Sequence, residues 1–162
     1  MLHGGPEPTE LIFAASVRPA STDNEAELVP GNQADKKVSG PYRRYAVTFM
    51  ANPKELSWTV SPDGAHRCTL EFMTFVYDAN GARLNVQYNG IGAAIPDARF
   101  ASVQNGNIKY LQQISVPAKG EYYLRVGMRD IASDHVGAVE LPVDTVAKLP
   151  AIAVPLPAPP AK

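Results

Sequence analysis

Cysteine is nearly missing from this chain. Cys68 stands alone in 162 residues, so no disulfide can form within it and packing must hold the fold. An excess of either charge is missing too: 15 Lys and Arg against 16 Asp and Glu leave a net charge of −1. The only local basic pairs are Lys36–Lys37 and Arg43–Arg44, too few to track a phosphate backbone, so no nucleic-acid partner is expected. No apolar run approaches the roughly 18 residues that a membrane helix needs. The opening MLHGGPEPTE carries neither a charged n-region nor an apolar h-region, so it does not read as a signal peptide. Repeats at a fixed period are lacking as well, which argues against a propeller or a solenoid.

What is present is alternation. The stretch GEYYLRVGMRDIASDHVGAVELPV, residues 120–143, reads as a turn, a strand, a polar connection and a second strand. Tyr122, Leu124, Val126 and Met128 fall on one face and Tyr123, Arg125 and Arg129 on the other, the period of two of a half-buried strand. The same period runs through Leu11 to Val17, Tyr45 to Phe49, Leu56 to Val60, Cys68 to Tyr77, Leu84 to Tyr88 and Ile108 to Val116. Ser61-Pro62-Asp63-Gly64 and Asp78-Ala79-Asn80-Gly81 are turns by composition. Pro96 opens a short helix that ends before Gln104-Asn105-Gly106-Asn107. The reading is an all-β, immunoglobulin-like β-sandwich of about seven or eight antiparallel strands with one short helix. Residues 1–9 form a lead-in and residues 10–146 a single domain. Within that domain, residues 20–41 read as a long mobile surface loop. A proline-rich tail, expected to be extended and exposed, occupies residues 147–162.

Chemistry is harder to find. Ser133-Asp134-His135 holds the residue types of a hydrolase triad, but consecutive residues cannot adopt triad geometry. His3, His66 and His135 lack zinc-ligand spacing. Asp78-x-Asn80-Gly81 opens like a calcium loop and lacks the closing carboxylate, while Asp130 and Asp134 could share a weak surface calcium site. No catalytic residue, metal site or cofactor is therefore assigned. Cys68 alternates with Leu70 and Phe72 and reads as a small buried hydrophobe. Tyr123, Arg125 and Arg129 share the outward strand face, a composition suited either to binding or to cross-strand pairing. They are the candidate binding residues, with Trp58 and Tyr88 as further aromatics if exposed.

Four phrases add a resemblance. HGGPEPTELIF at 3–13, GPYRRYAVTF at 40–49, the DG…LEFMTFVYDANGARLN region at 63–85 and ISVPAKGEYYLRVGMRDIASDHVGAVELPV at 114–143 together cover most of the chain. They resemble the C-terminal region of the von Willebrand factor A-related proteins of Acidobacteria. The resemblance implies an exported protein, periplasmic, cell-surface or secreted. In it a von Willebrand A domain precedes this module, and Met1 is an internal methionine. The D-x-S-x-S adhesion motif of the A domain is absent from this sequence, so its metal chemistry does not carry over. The expected function is a non-catalytic accessory module for spacing, docking or stability. The alternative is a ligand-binding module for a glycan or a protein partner.

Overall fold

The structure, a computed structural model, describes residues 2–158. Eight strands form in order: β1 (Phe13–Pro19), β2 (Tyr42–Ala51), β3 (Thr59–Val60), β4 (His66–Asp78), β5 (Arg83–Ile95), β6 (Ile108–Pro117), β7 (Tyr122–Asp130) and β8 (Val136–Pro142). Helix α1 (Asp97–Gln104) follows β5, and a single-turn helix α2 (Asp144–Ala147) follows β8. One sheet has the order β1-β2-β6. In the other, β5 and β7 flank β4 and β8 lies beyond β7, while the two-residue β3 pairs the start of β4. All pairings are antiparallel. The chain is thus an all-β, immunoglobulin-like sandwich with little helix.

The strand alternation explains why the sheets face each other. Val47 and Phe49 of β2 and Ile114 of β6 meet Phe72, Val76, Leu124 and Val126 of the larger sheet, all of them almost fully buried. Phe49 meets Phe72 edge-on at 5.1 Å, and Tyr110 stacks on Phe72 at 4.4 Å. Burying a Leu or Phe side chain of this kind contributes about 1.5–3 kcal/mol.

One expected strand is mostly absent. Leu56, Trp58 and Val60 alternate, but Asn52 caps a 3-10 turn at Pro53–Glu55, and only Thr59 and Val60 pair with β4. Leu56 still enters the core, while the Trp58 indole donates to the Pro53 carbonyl at 2.9 Å. Proline at the start of that turn removes a donor that a continuing ladder would need.

Three irregular segments close the sandwich. Residues 20–41 contain no helix or strand, yet Gln33 exchanges backbone hydrogen bonds with Val86, and Asp35 N donates to the Leu84 carbonyl along the outer edge of β5. Asn32 joins the two sheets. Its amide nitrogen donates to Gln87 Oε1 and the Gln113 carbonyl, and its oxygen accepts from Asn85 Nδ2 and Ser115 N, all at 2.8–3.0 Å. Such a seam stabilises only when every member is satisfied, and the Asn32 side chain is.

The two ends of the described chain lie along opposite outer faces. Residues 2–11 run beside β8: Thr9 bridges Gly137, Ala138 N donates to the Pro8 carbonyl, and Leu11 N donates to the Val136 carbonyl. A Cβ on Gly137 would collide with the Leu11 carbonyl, so only glycine admits this segment. Residues 150–158 are extended along the smaller sheet, with Ile152 and Val154 half-buried and Ile152 N bonded to the Pro19 carbonyl. The last prolines of the proline-rich tail, Pro159 and Pro160, lie outside the described residues.

Candidate functional site

Register places Tyr123, Arg125 and Arg129 on the same outer face of β7, opposite Tyr77, Phe75 and Glu71 of β4. That face is not open. Arg125 is 2% exposed, beneath the N-terminal segment. Its Nη1 donates to the Gly5 carbonyl at 3.0 Å and lies 3.4 Å from Glu140 Oε2, and its Nη2 donates to the Pro6 carbonyl. Glu140 in turn accepts from Gly4 N, and its Oε1 stands 3.0 Å from His3 Nδ1, an ion-pair distance without hydrogen-bond alignment. The His3 ring rests on Tyr123 at 4.4 Å. Arg129 is half-exposed and shared between Glu71 and Asp134, with Nη2 2.6 Å from Asp134 Oδ1. The pattern of β7 shows which side chains share a face. It does not show that His3 would cover Tyr123 and the Gly5-Pro6 backbone would cover Arg125.

The other candidates also hold structure together. Asp130 is fully buried and accepts from Ser57 N at 2.6 Å and Ala132 N at 3.0 Å, fastening the segment after the 3-10 turn to the β7–β8 hairpin. Asp134 faces Arg129 instead, so the two carboxylates serve separate partners. Among the described residues, no cluster of three or more His, Cys, Asp or Glu is placed to hold a metal ion. His66 stacks on Phe100 at 3.6 Å with its Nε2 2.8 Å from Asp97 Oδ1, which pins α1 to β4. Trp58 meets Phe100 edge-on and is half-buried, whereas Tyr88 is 46% exposed with its hydroxyl on Glu71. Burial pushes the Cys68 thiol up to about 11, with the nearby Asp130 charge adding to it.

A site that the strand pattern gave no hint of lies at one end of the sandwich. A cleft of about 590 Å³ opens between the start of β2, the β6–β7 turn, the end of β8 and α2. Its lining includes Arg43, Tyr45, Glu121, Tyr122, Tyr123 and Asp144. Arg43 lies over the Tyr45 ring, 5.9 Å from its centroid. Its Nε is sealed from solvent and has no hydrogen-bond partner among the described residues. Burial raises the Tyr45 phenol above its ordinary value, with Arg43 partly opposing, so it stays a neutral donor. On the rim, Tyr123 Oη donates to Glu121 at 2.7 Å. Gly120, at φ +127°, lets Tyr122 fold back over the turn, where its hydroxyl reaches the Lys119 carbonyl, and a Cβ there would clash with the Tyr122 ring.

No family model matches this chain, and no curated protein does. Among solved structures it is similar to the "Putative ApaA Protein from Bordetella pertussis", at 14% identity over 84% of this chain and 89% of that chain, with a TM-score of 0.29. No helix among the described residues is long and apolar enough to cross a membrane.

Proposed function

We propose that this chain is a non-catalytic β-sandwich accessory module of an exported bacterial protein, serving as a spacer and docking element beside a preceding von Willebrand A domain. One observation carries the reading. Two buried arginines, Arg125 and Arg44, clamp the two terminal segments onto opposite faces of the sandwich. Desolvating a guanidinium is costly unless its hydrogen bonds are satisfied. Here that cost is offset at Arg44 and at the two Nη atoms of Arg125, whose Nε has no partner among the described residues, by contacts that fix the direction in which each segment leaves the fold. Fixed exits are what a spacer needs if it is to hold its neighbours in a set relation. The resemblance to von Willebrand factor A-related proteins supplies the neighbour and the exported location.

Amide hydrogen exchange tests this reading. The amides of Leu11, Ala138 and Ile152 should exchange slowly, within about tenfold of the amides of β7, because their bonds open only with the body of the fold. Exchange at free-chain rates in either segment would remove the basis for a spacer.

A further inference from the structure

We propose that the cleft at Arg43 is a binding site for a singly charged sugar acid of the uronate type, a function beyond spacing. The guanidinium of Arg43 has no ion-pair or hydrogen-bond acceptor among the described residues, and its Nε is closed off from water. The sealed Nε cannot meet a ligand, so the two Nη groups, which have no partner among the described residues and are not sealed, are the donors that Arg43 offers to the cleft. The Tyr45 hydroxyl lines the same cleft and also donates to no described residue. Fork and phenol together suit a carboxylate, which accepts two parallel N–H bonds and has lone pairs to spare.

The rim narrows the class. Glu121 and Asp144 also line the cleft, so with Arg43 its lining carries one net negative charge, and a phosphate dianion or a polyanion would be repelled where a single carboxylate paired with Arg43 is not. Carboxylates at a rim accept from hydroxyl groups, and the folded-back Tyr122 ring offers an apolar face to the C–H side of a pyranose. One carboxylate beside several hydroxyls on a compact ring matches the layout. The cleft volume of about 590 Å³ has room for one or two sugar units.

Isothermal titration of the whole chain with the singly charged disaccharide galacturonosyl-galactose, its methyl ester, neutral galactobiose and acetate tests the site. Galacturonosyl-galactose should bind, with the ester and galactobiose weaker by about tenfold or more, as expected for losing charged hydrogen bonds. Acetate should bind too weakly to detect. Arg43→Met should abolish binding while the melting temperature stays near that of the parent, and Arg43→Lys should retain a weakened response. Should Arg43→Met fail to fold, the ester comparison on the unaltered chain and Arg43→Lys decide alone. Equal binding of the ester or of galactobiose would overturn the proposal. So would acetate binding as well as galacturonosyl-galactose, binding that survives Arg43→Met in the folded variant, or no heat with galacturonosyl-galactose at millimolar concentration. None of these outcomes touches the exchange test of the spacer reading.

Discussion

The N-terminal and C-terminal segments answer the same physical problem in different ways. Both lie along an outer face, and both sit on an arginine that is nearly sealed from water, Arg125 at 2% exposure and Arg44 at 8%. The N-terminal segment behaves as half a strand, exchanging backbone bonds with β8 at Thr9, Pro8 and Leu11. The C-terminal segment does so only at Ile152, whose N–H donates to the Pro19 carbonyl. Pro150, Pro155 and Pro157 have no N–H, so much of it can only accept, and the body of the protein has to donate. Arg44 Nη1 gives to the Val154 carbonyl at 2.7 Å, and Gln113 Nε2 gives to the Pro155 carbonyl at 2.7 Å. Glu25 holds the Arg44 Nε at 2.8 Å, and Gln113 Oε1 accepts from the same guanidinium. Where a passing segment is rich in proline, donors must come from side chains. Over residues 8–11 a glycine in the neighbouring strand lets backbone meet backbone, while at Gly5 and Pro6 the Arg125 side chain again supplies the donors.

Substitutions should separate the two devices. Arg125→Ala leaves Glu140 and two carbonyls without their partner and should cost about 3–5 kcal/mol, read from urea denaturation. A loss under about 1 kcal/mol would mean that the N-terminal segment adds nothing. Gly137→Ala should destabilise by about 1–3 kcal/mol, since the new methyl group collides with the Leu11 carbonyl. Its effect should fall to well under half in a chain lacking residues 2–11, where only the Phe13 ring edge at 3.0 Å still meets the new methyl group, and an undiminished effect would place the main clash elsewhere. Arg44→Ala removes one charged donor from a less buried place, for about 1–3 kcal/mol, and should raise amide exchange at Ile152 while leaving Leu11 unchanged. Coupled loosening of both ends would break the comparison.

The smallest effect concerns Cys68, which lies in the core between the two segments. Its thiol is held up at about 11 against an ordinary 9.0, so the native state keeps that proton more tightly than the unfolded chain does. The resulting stability is complete below pH 9 and is lost as the pH climbs towards 11. Alkylation at pH 8 should therefore be negligible in the parent, and also in Arg44→Ala, unless detaching a segment opens the core. Rapid labelling of Arg44→Ala would show that the segments and the core unfold together.

Local chemistry wrote much of the sandwich into the sequence. The Asp78-Ala79-Asn80-Gly81 turn forms with Asp78 Oδ1 accepting from Asn80 N and Ala82 N at 2.9 Å, and Gly81 at φ +79°. Pro96 precedes α1, and Leu124, Val126 and Met128 are buried as their alternation predicts. What stayed hidden is carried by segments with no period of their own. Gly4-Gly5-Pro6 and Ala153-Val154-Pro155 give no hint of which face they will cover, because their partners lie more than 100 positions away. Asn32 looks like any loop amide until both sheet edges meet at it. Arg43 reads as the inner-face neighbour of Tyr45, and only the β6–β7 turn and α2, placed by tertiary packing, make a cleft around it.

The N-terminal segment has a consequence for synthesis. Gly5 and Pro6 precede the arginine that receives them by about 120 residues, and Leu11 precedes Val136 by a similar span. As the chain emerges in order, these residues have nothing to bind until β7 and β8 exist. The sandwich can then close only after nearly the whole domain has been released, and a chain interrupted before Val136 would carry a bare leading segment for proteases or chaperones to find.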